Sequence, residues 1–265
     1  MADADLGEEV TAGTGKPGRA GAERRSRPVQ VAEAIKDYVV AQGLRMGDRL
    51  PAEAELMERF AMSKGTIREA TRILEAQGLV KTRTGPGGGA FVHEVSEERA
   101  RALLGNYFYF RDLTLKDIYQ MRRWLEPELA ASLAGKLTDA QLSRLDAVVE
   151  IYDHPSTSIE EEREQHVASL RFHQLLAEFA RNELLGFVIG FMAQILSDLT
   201  VYRRLYEPAN PQLWERGRAC QLELLEALRR GDPDRARAVM AEHMATAEAL
   251  MEGQEAEMLK RFLVT

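Results

Sequence analysis

The stretch GDRLPAEAELMERFAMSKGTIREATRILEAQGLVKTRTGPGGGAFV, residues 47–92, packs helix signals and breakers so closely that only a small, tightly turned unit accommodates them. Pro51 suits a first helical turn, and Leu56, Met57 and Phe60 then recur on one face. Ala61-Met62 makes a tight turn. Ser63 is a good N-cap for a further helix that runs to Gln77, with Gly78 as its stop. At 100° per residue, Ile67, Ala70, Ile73 and Leu74 fall on one side of that helix and Lys64, Arg68 and Arg72 on the other. Gly85-Pro86-Gly87-Gly88-Gly89 breaks any helix and separates two short runs, 79–83 and 90–92, as a hairpin tip. Upstream, Val31, Ile35, Tyr38 and Val39 mark a first helix beginning at Val29 and ending before Gly43. The order is helix, helix, turn, helix, hairpin, which is a winged helix-turn-helix. Its third helix docks through the apolar face and offers donors to phosphates and base edges from the other.

Charge sharpens that reading. The 265 residues carry a net charge of -7, which evenly spread would disfavour nucleic acid. It is uneven, because residues 59–83 hold six basic groups against two acidic ones, while residues 94–265 are strongly acidic. A basic patch on an acidic protein fits a nucleic-acid reader joined to a solubilising partner domain. On charge spacing alone a solvated charged face is the favoured explanation of the third helix, and the glycine-tipped wing reverses that preference. A single cysteine, Cys220, excludes an intrachain disulfide and any zinc site built mainly from thiolates. No apolar run is expected to reach bilayer length and no signal peptide is read at the start, so a cytoplasmic location is expected.

Beyond a connector the remainder reads as helical, over residues 115–136, 139–153, 159–180, 184–206, 212–230 and 234 to about 261. Capping chemistry marks the starts: Thr138 with Gln141, Ser158 before a Glu run, Asn210-Pro211 and Asp232-Pro233. Pro127 is expected to kink the first of these helices. The predicted fold class is therefore mainly α: a winged helix-turn-helix of three helices and a small hairpin, then an all-α antiparallel bundle.

The quoted stretch resembles the amino-terminal signature of GntR-family bacterial transcription regulators. Leu50-Pro51 before Glu53 and Glu55-Leu56, the Arg68-Glu69-Ala70 centre, Leu74, Gly78-Leu79-Val80 and the wing ending Phe91-Val92 all occur in order. The resemblance implies DNA-contacting roles for Ser63, Lys64, Thr66, Arg68 and the wing tip at Gly87, and Arg72 joins them on the same helix face. One departure is Ala54, where such proteins often carry a DNA-contacting arginine.

The carboxy-terminal part looks like the FCD effector-binding domain of the FadR subfamily, through Arg122-Arg123 before Leu125-Glu126, Phe172-His173, Asn182, Gly231-Asp232, and Met240 with His243. Many similar domains hold a divalent metal through one Asp and three His, beside an arginine that grips a small carboxylate. Carried over by position, the ligands here are Ser169, His173, Gln221 and His243. Two are lost, and a site without its carboxylate and with an amide for imidazole is a poor one. A metal-free pocket is the default reading, and a divalent ion such as zinc on His173 and His243 is the alternative. The candidate effector-binding residues are Arg122, His173, Gln221 and His243, although Arg122 could instead pair with Glu126 or Glu128. Phe187, Phe191, Met192, Met240, Met244 and Met251 suit either a core or an adaptable pocket for an acyl effector.

The resulting organisation is a flexible tail (1–27), a winged helix-turn-helix domain (28–95), a connector (96–112), a helical effector-binding and dimerisation domain (113–250) and a helix extension (251–265). The function expected is a regulator, of repressor type by resemblance, that binds a palindromic double-stranded DNA operator as a homodimer and answers to a small carboxylate or fatty acyl effector. The competing classes are a metal-dependent enzyme built on the bundle histidines and a pure protein-interaction bundle. The first lacks a nucleophile arrangement and a full ligand set, and the basic helix argues against the second.

Overall fold

A computed structural model describes residues 26–109, 111 and 113–264. The expected tail therefore lies outside the described residues apart from Ser26 and Arg27. The chain parts into two compact units between Ser96 and Glu97.

The first unit has helices α1 (Arg27–Ala41), α2 (Glu53–Phe60) and α3 (Lys64–Ala76), and strands β1 (Val80–Arg83) and β2 (Gly89–Val92). Pro28 sits in the first turn of α1, where its missing N–H costs nothing. Ala61 in the left-handed conformation ends α2, and Ser63 caps α3 by accepting from the Thr66 N–H at 3.4 Å. Val31, Ala32, Ile35, Leu50, Leu56, Ile67, Ala70, Leu74 and Val80 form one buried core, with Met57, Phe60 and Ile73 packed on its edge. β1 and β2 pair antiparallel, Val80 opposite Val92 and Arg83 opposite Gly89. Residues 47–50 add a short third pairing that the sequence reading missed. The Gly47 N–H donates to Val92 O, Val92 N–H to Asp48 O and Leu50 N–H to Ala90 O. Only two residues bridge as a strand there, Arg49 opposite Phe91, so no alternation was available to read.

The second unit is helical: α4 (Glu97–Tyr109), α5 (Leu115–Leu133), α6 (Asp139–Glu150), α7 (Ile159–Glu178), α8 (Glu183–Tyr202), α9 (Pro211–Arg230) and α10 (Pro233–Val264). Capping boxes start α5 at Thr114 with Asp117 and α6 at Thr138 with Gln141. α10 packs along α5 and α9, α7 along α8, and α6 against α7 and α9. Pro127 lies inside α5, which continues through it. The segment expected as a connector forms α4 instead. Its apolar residues make no clean stripe, and its helix is held by the Arg101–Glu97 pair at 2.6 Å and by packing on α8, where Arg101 covers Gly190 and Phe108 meets Phe191.

A second correction concerns α8. By length and composition alone, Glu183–Tyr202 is apolar enough to cross a membrane. Half of it is buried within the unit, with Ile189, Ala193 and Leu196 fully enclosed, so its apolarity serves the bundle core.

Candidate functional site

On α3 the cationic face is exposed as the sequence pattern demands: the side chains of Lys64, Arg68 and Arg72 are 59%, 59% and 76% accessible. Ser63 and Thr66 stand at the helix N-terminus, joined through their hydroxyls at 3.0 Å. Backbone N–H groups at such an end favour an anion. Two features were not anticipated. Glu53 on α2 pairs with both recognition cations, Arg68 at 2.8 Å and Lys64 at 3.4 Å, and its carboxyl is held below the ordinary range chiefly by the Arg68 hydrogen bond, against a small opposing cost of burial. Exposed pairs of this kind contribute little and exchange readily for another anion.

The other feature is Arg49. Its guanidinium donates to Gly88 O at 2.5 Å, and a Cβ added at Gly89 would stand 2.8 Å from its Nε. Gly89 has φ +147°, so neither the backbone nor the space there admits a side chain easily. Arg49 thus braces the wing from beneath and lines the groove that Arg68 and Arg72 also line. Gly87, at φ +76°, forms the tip with nothing near its α-carbon. Ala54 is exposed and brings no charge.

In the second unit, α5, α7, α9 and α10 enclose a cavity of about 60 Å³. All four sequence-predicted effector positions lie in this neighbourhood. Arg122 and Glu126, one turn apart on α5, are both 1% exposed and joined at 2.5 Å. The other Glu126 oxygen meets His173 Nδ1 at 2.5 Å, and His173 Nε2 lies 3.2 Å from His243 Nε2. This network assigns the tautomers. Neutral His173 donates from Nδ1 to the carboxylate, so its Nε2 accepts the proton of His243. Burial pushes His173 down from its ordinary value against the pull of Glu126, and takes His243 down to about 3 with help from neighbouring His173 and Arg122. Burial opposes ionisation of Glu126 too, but Arg122 and His173 outweigh it and hold the carboxyl at about 2. Arg122 also stacks over the Tyr119 ring at 5.2 Å, and its Nη2 has no hydrogen-bond partner among the described residues.

Gln221 is fully buried. Its Oε1 accepts from the Tyr152 hydroxyl, while its Nε2 donates to Ser169 O and Ser169 Oγ, each at 3.2 Å. The positions that would carry the lost metal ligands therefore bond to each other. The residues do not fit a resident divalent ion. Ser169 supplies no anion, Gln221 is spent on Tyr152 and Ser169, and the two imidazoles are turned on one another, ring planes 12° apart. Among the described residues, no group of three His, Cys, Asp or Glu side chains could hold a metal.

His166, half-buried on the cavity wall, is kept neutral by burial, which takes it down to about 4. Met244 and Met251 line the cavity, whereas Phe187, Phe191, Met192 and Met240 are not among its lining residues. Cys220 is half-buried at the edge of the core, its thiol pushed up by burial. Glu128 pairs with Arg237 rather than Arg122. Tyr152, Gln165 and Arg218 were missed as lining residues. They come from a loop, a charged helix turn and an Arg-rich helix face, where no local pattern singles them out.

Comparison with known proteins bears on both units. Residues 28–92 match the model described as "Bacterial regulatory proteins, gntR family", and residues 117–246 match the "FCD domain". RmpR of Mycobacterium gastri, whose name describes an HTH-type transcriptional regulator, is 30% identical over 83% of this chain and 80% of its own length. The HTH-type transcriptional repressor NanR of Enterobacter sp. (strain 638) is 26% identical over 85% of each chain. Among solved structures, Streptococcus agalactiae GntR shares the fold with a TM-score of 0.59, at 24% identity over 84% of this chain and 99% of that one.

Proposed function

This chain belongs to the gntR family of bacterial regulatory proteins and carries an FCD domain, so it is a DNA-binding, ligand-responsive transcriptional regulator and not an enzyme; on that premise we propose how it reads DNA and what releases it. Lys64, Arg68 and Arg72 on α3 enter the major groove, Ser63 and Thr66 take a phosphate at the helix N-terminus, and Gly87 at the wing tip lies against the backbone or in the minor groove. On contact, phosphates replace Glu53 as the partner of Lys64 and Arg68. Because one such unit touches too few bases for selectivity, the chain acts as a homodimer on a palindromic operator. Exposed Met121 and Trp124, at 39% and 62% one turn apart on α5, are apolar groups that a second copy would cover. The similarity to the repressor NanR supports repression as the sign of control.

The observation that carries the effector reading is the unpartnered Nη2 of buried Arg122 on the cavity wall. Glu126 already balances the charge of this guanidinium, but Nη2 still has a donor to give, and a small carboxylate accepts it. The polar groups on the cavity lining, Arg122, Gln165, His166 and Arg218 among them, favour a short carboxylate over an acyl chain. Calorimetric titration of the full chain with short carboxylates and with an acyl-CoA separates the two classes. Heat with the carboxylates and none with the acyl-CoA is expected, and the reverse overturns the assignment.

A further inference from the structure

Arg218, on α9, has no role in the reading above. It lines the same cavity as Arg122, and its Nε is buried without a hydrogen-bond partner among the described residues. Asp153 senses its charge but bonds to His154 instead. A third orphan belongs to a residue of the same lining. Gln165 is 4% exposed, and its Nε2 donates to His154 O at 3.0 Å, which fixes the amide orientation and leaves Oε1 with no donor. Several other polar groups of the wall are already satisfied: Glu162 by the Ser156 hydroxyl and the Asn210 N–H, Tyr152 by Gln221, and His173 by Glu126 and His243. Buried polar atoms left unpaired are rare and costly, so three on one small cavity describe the complement of a ligand.

We propose that the effector is a short hydroxy-dicarboxylate, with one carboxylate on Arg122 Nη2, the second on Arg218 Nε and the hydroxyl donating to Gln165 Oε1. The proposal rests on the cavity being the effector site and adds what that reading does not contain, a second anionic group and the residue that selects it. Arg122 alone serves any carboxylate; Arg218 makes the site count two charges.

Calorimetric titration of the full-length protein with malate, succinate, lactate and propionate tests it. Malate is expected to bind at least about tenfold more tightly than lactate, the strength of one added charge-assisted contact, with succinate between them. In Arg218→Gln the malate affinity falls to that of lactate while lactate stays within about twofold, and Arg218→Lys retains part of the preference. Equal affinity of the wild-type protein for lactate and malate overturns the proposal, as does an equal loss of both in Arg218→Gln, and either leaves the single-carboxylate reading of Arg122 standing. Binding of none of the four overturns both. If Arg218→Gln fails to fold by circular dichroism, the wild-type order of the four acids still decides.

Discussion

The two units use arginine in opposite ways. On α3, Arg68 is 59% accessible and tied to one carboxylate, Glu53, in a contact that water and salt already weaken. In the bundle, Arg122 is 1% accessible and bound into a buried relay through Glu126 and His173 to His243. The exposed arginine can change partners at little cost, as a DNA reader must. The buried one is fixed, so its spare nitrogen presents a preformed site rather than a mobile charge. The distinction is between a surface that trades anions and a cavity that waits for one.

Breaking the buried relay tests this contrast with the largest effect. Glu126→Gln leaves Arg122 uncompensated in the interior and is expected to destabilise the bundle by about 3 to 5 kcal/mol in denaturant unfolding; a loss under about 1 kcal/mol would show that the pair is not sealed. Acid should act in the same direction. Glu126 ionises at about 2 in the fold against an ordinary 4.5, and His243 protonates at about 3 against 6.5. Both are depressed, so their contribution is complete above the unfolded values and is lost as pH falls from 6.5 towards 3. Denaturation midpoints at pH 7, 5.5 and 4.5 should decline, and His243→Phe should flatten the upper part of that decline. A midpoint that rises on acidification contradicts neutral, buried histidines.

On the exposed side the effects are smaller, and at Arg68 they fall on binding rather than folding. Arg68→Ala is expected to cost about 1 to 3 kcal/mol of operator affinity with unfolding unchanged, measured by fluorescence anisotropy alongside thermal melts. Gly89→Ala, which forces a side chain against Arg49 at a positive φ, should cost about 1 kcal/mol of stability in the first unit. A neutral result there would mean that Arg49 swings aside and the wing is not braced. The smallest effect expected is from Ser63→Ala, about 0.5 to 2 kcal/mol of helix stability at the low end of that range, because the cap bond is long at 3.4 Å.

Much of this was legible in the chain. The three helices and wing follow from the spacing of Ile67, Ala70 and Leu74, the Ser63 cap and the glycine run, and the cap signals at Thr138, Ser158 and Asn210 set the bundle helix starts within a residue or two. What escaped depends on contacts between residues distant in sequence. Glu53 meets α3 across a turn, Arg49 reaches the wing 39 positions on, and Tyr152 bonds Gln221 across 69. α4 escaped because packing on α8, rather than a stripe of its own, holds it. Arg122 shows both sides of this. Its partner Glu126 stands one turn away and was readable, whereas its free nitrogen and the Arg218 that shares its cavity appear only once four helices have closed around them.

Selection from a random duplex library, run in parallel with the wild-type protein and Arg68→Ala at two salt concentrations, tests the central claim most directly. The wild type should enrich one sequence with inverted half-sites, held less tightly as salt rises, and Arg68→Ala should lose that enrichment while remaining folded. Enrichment of the same sequence by both proteins, or of none by the wild type, would contradict the account.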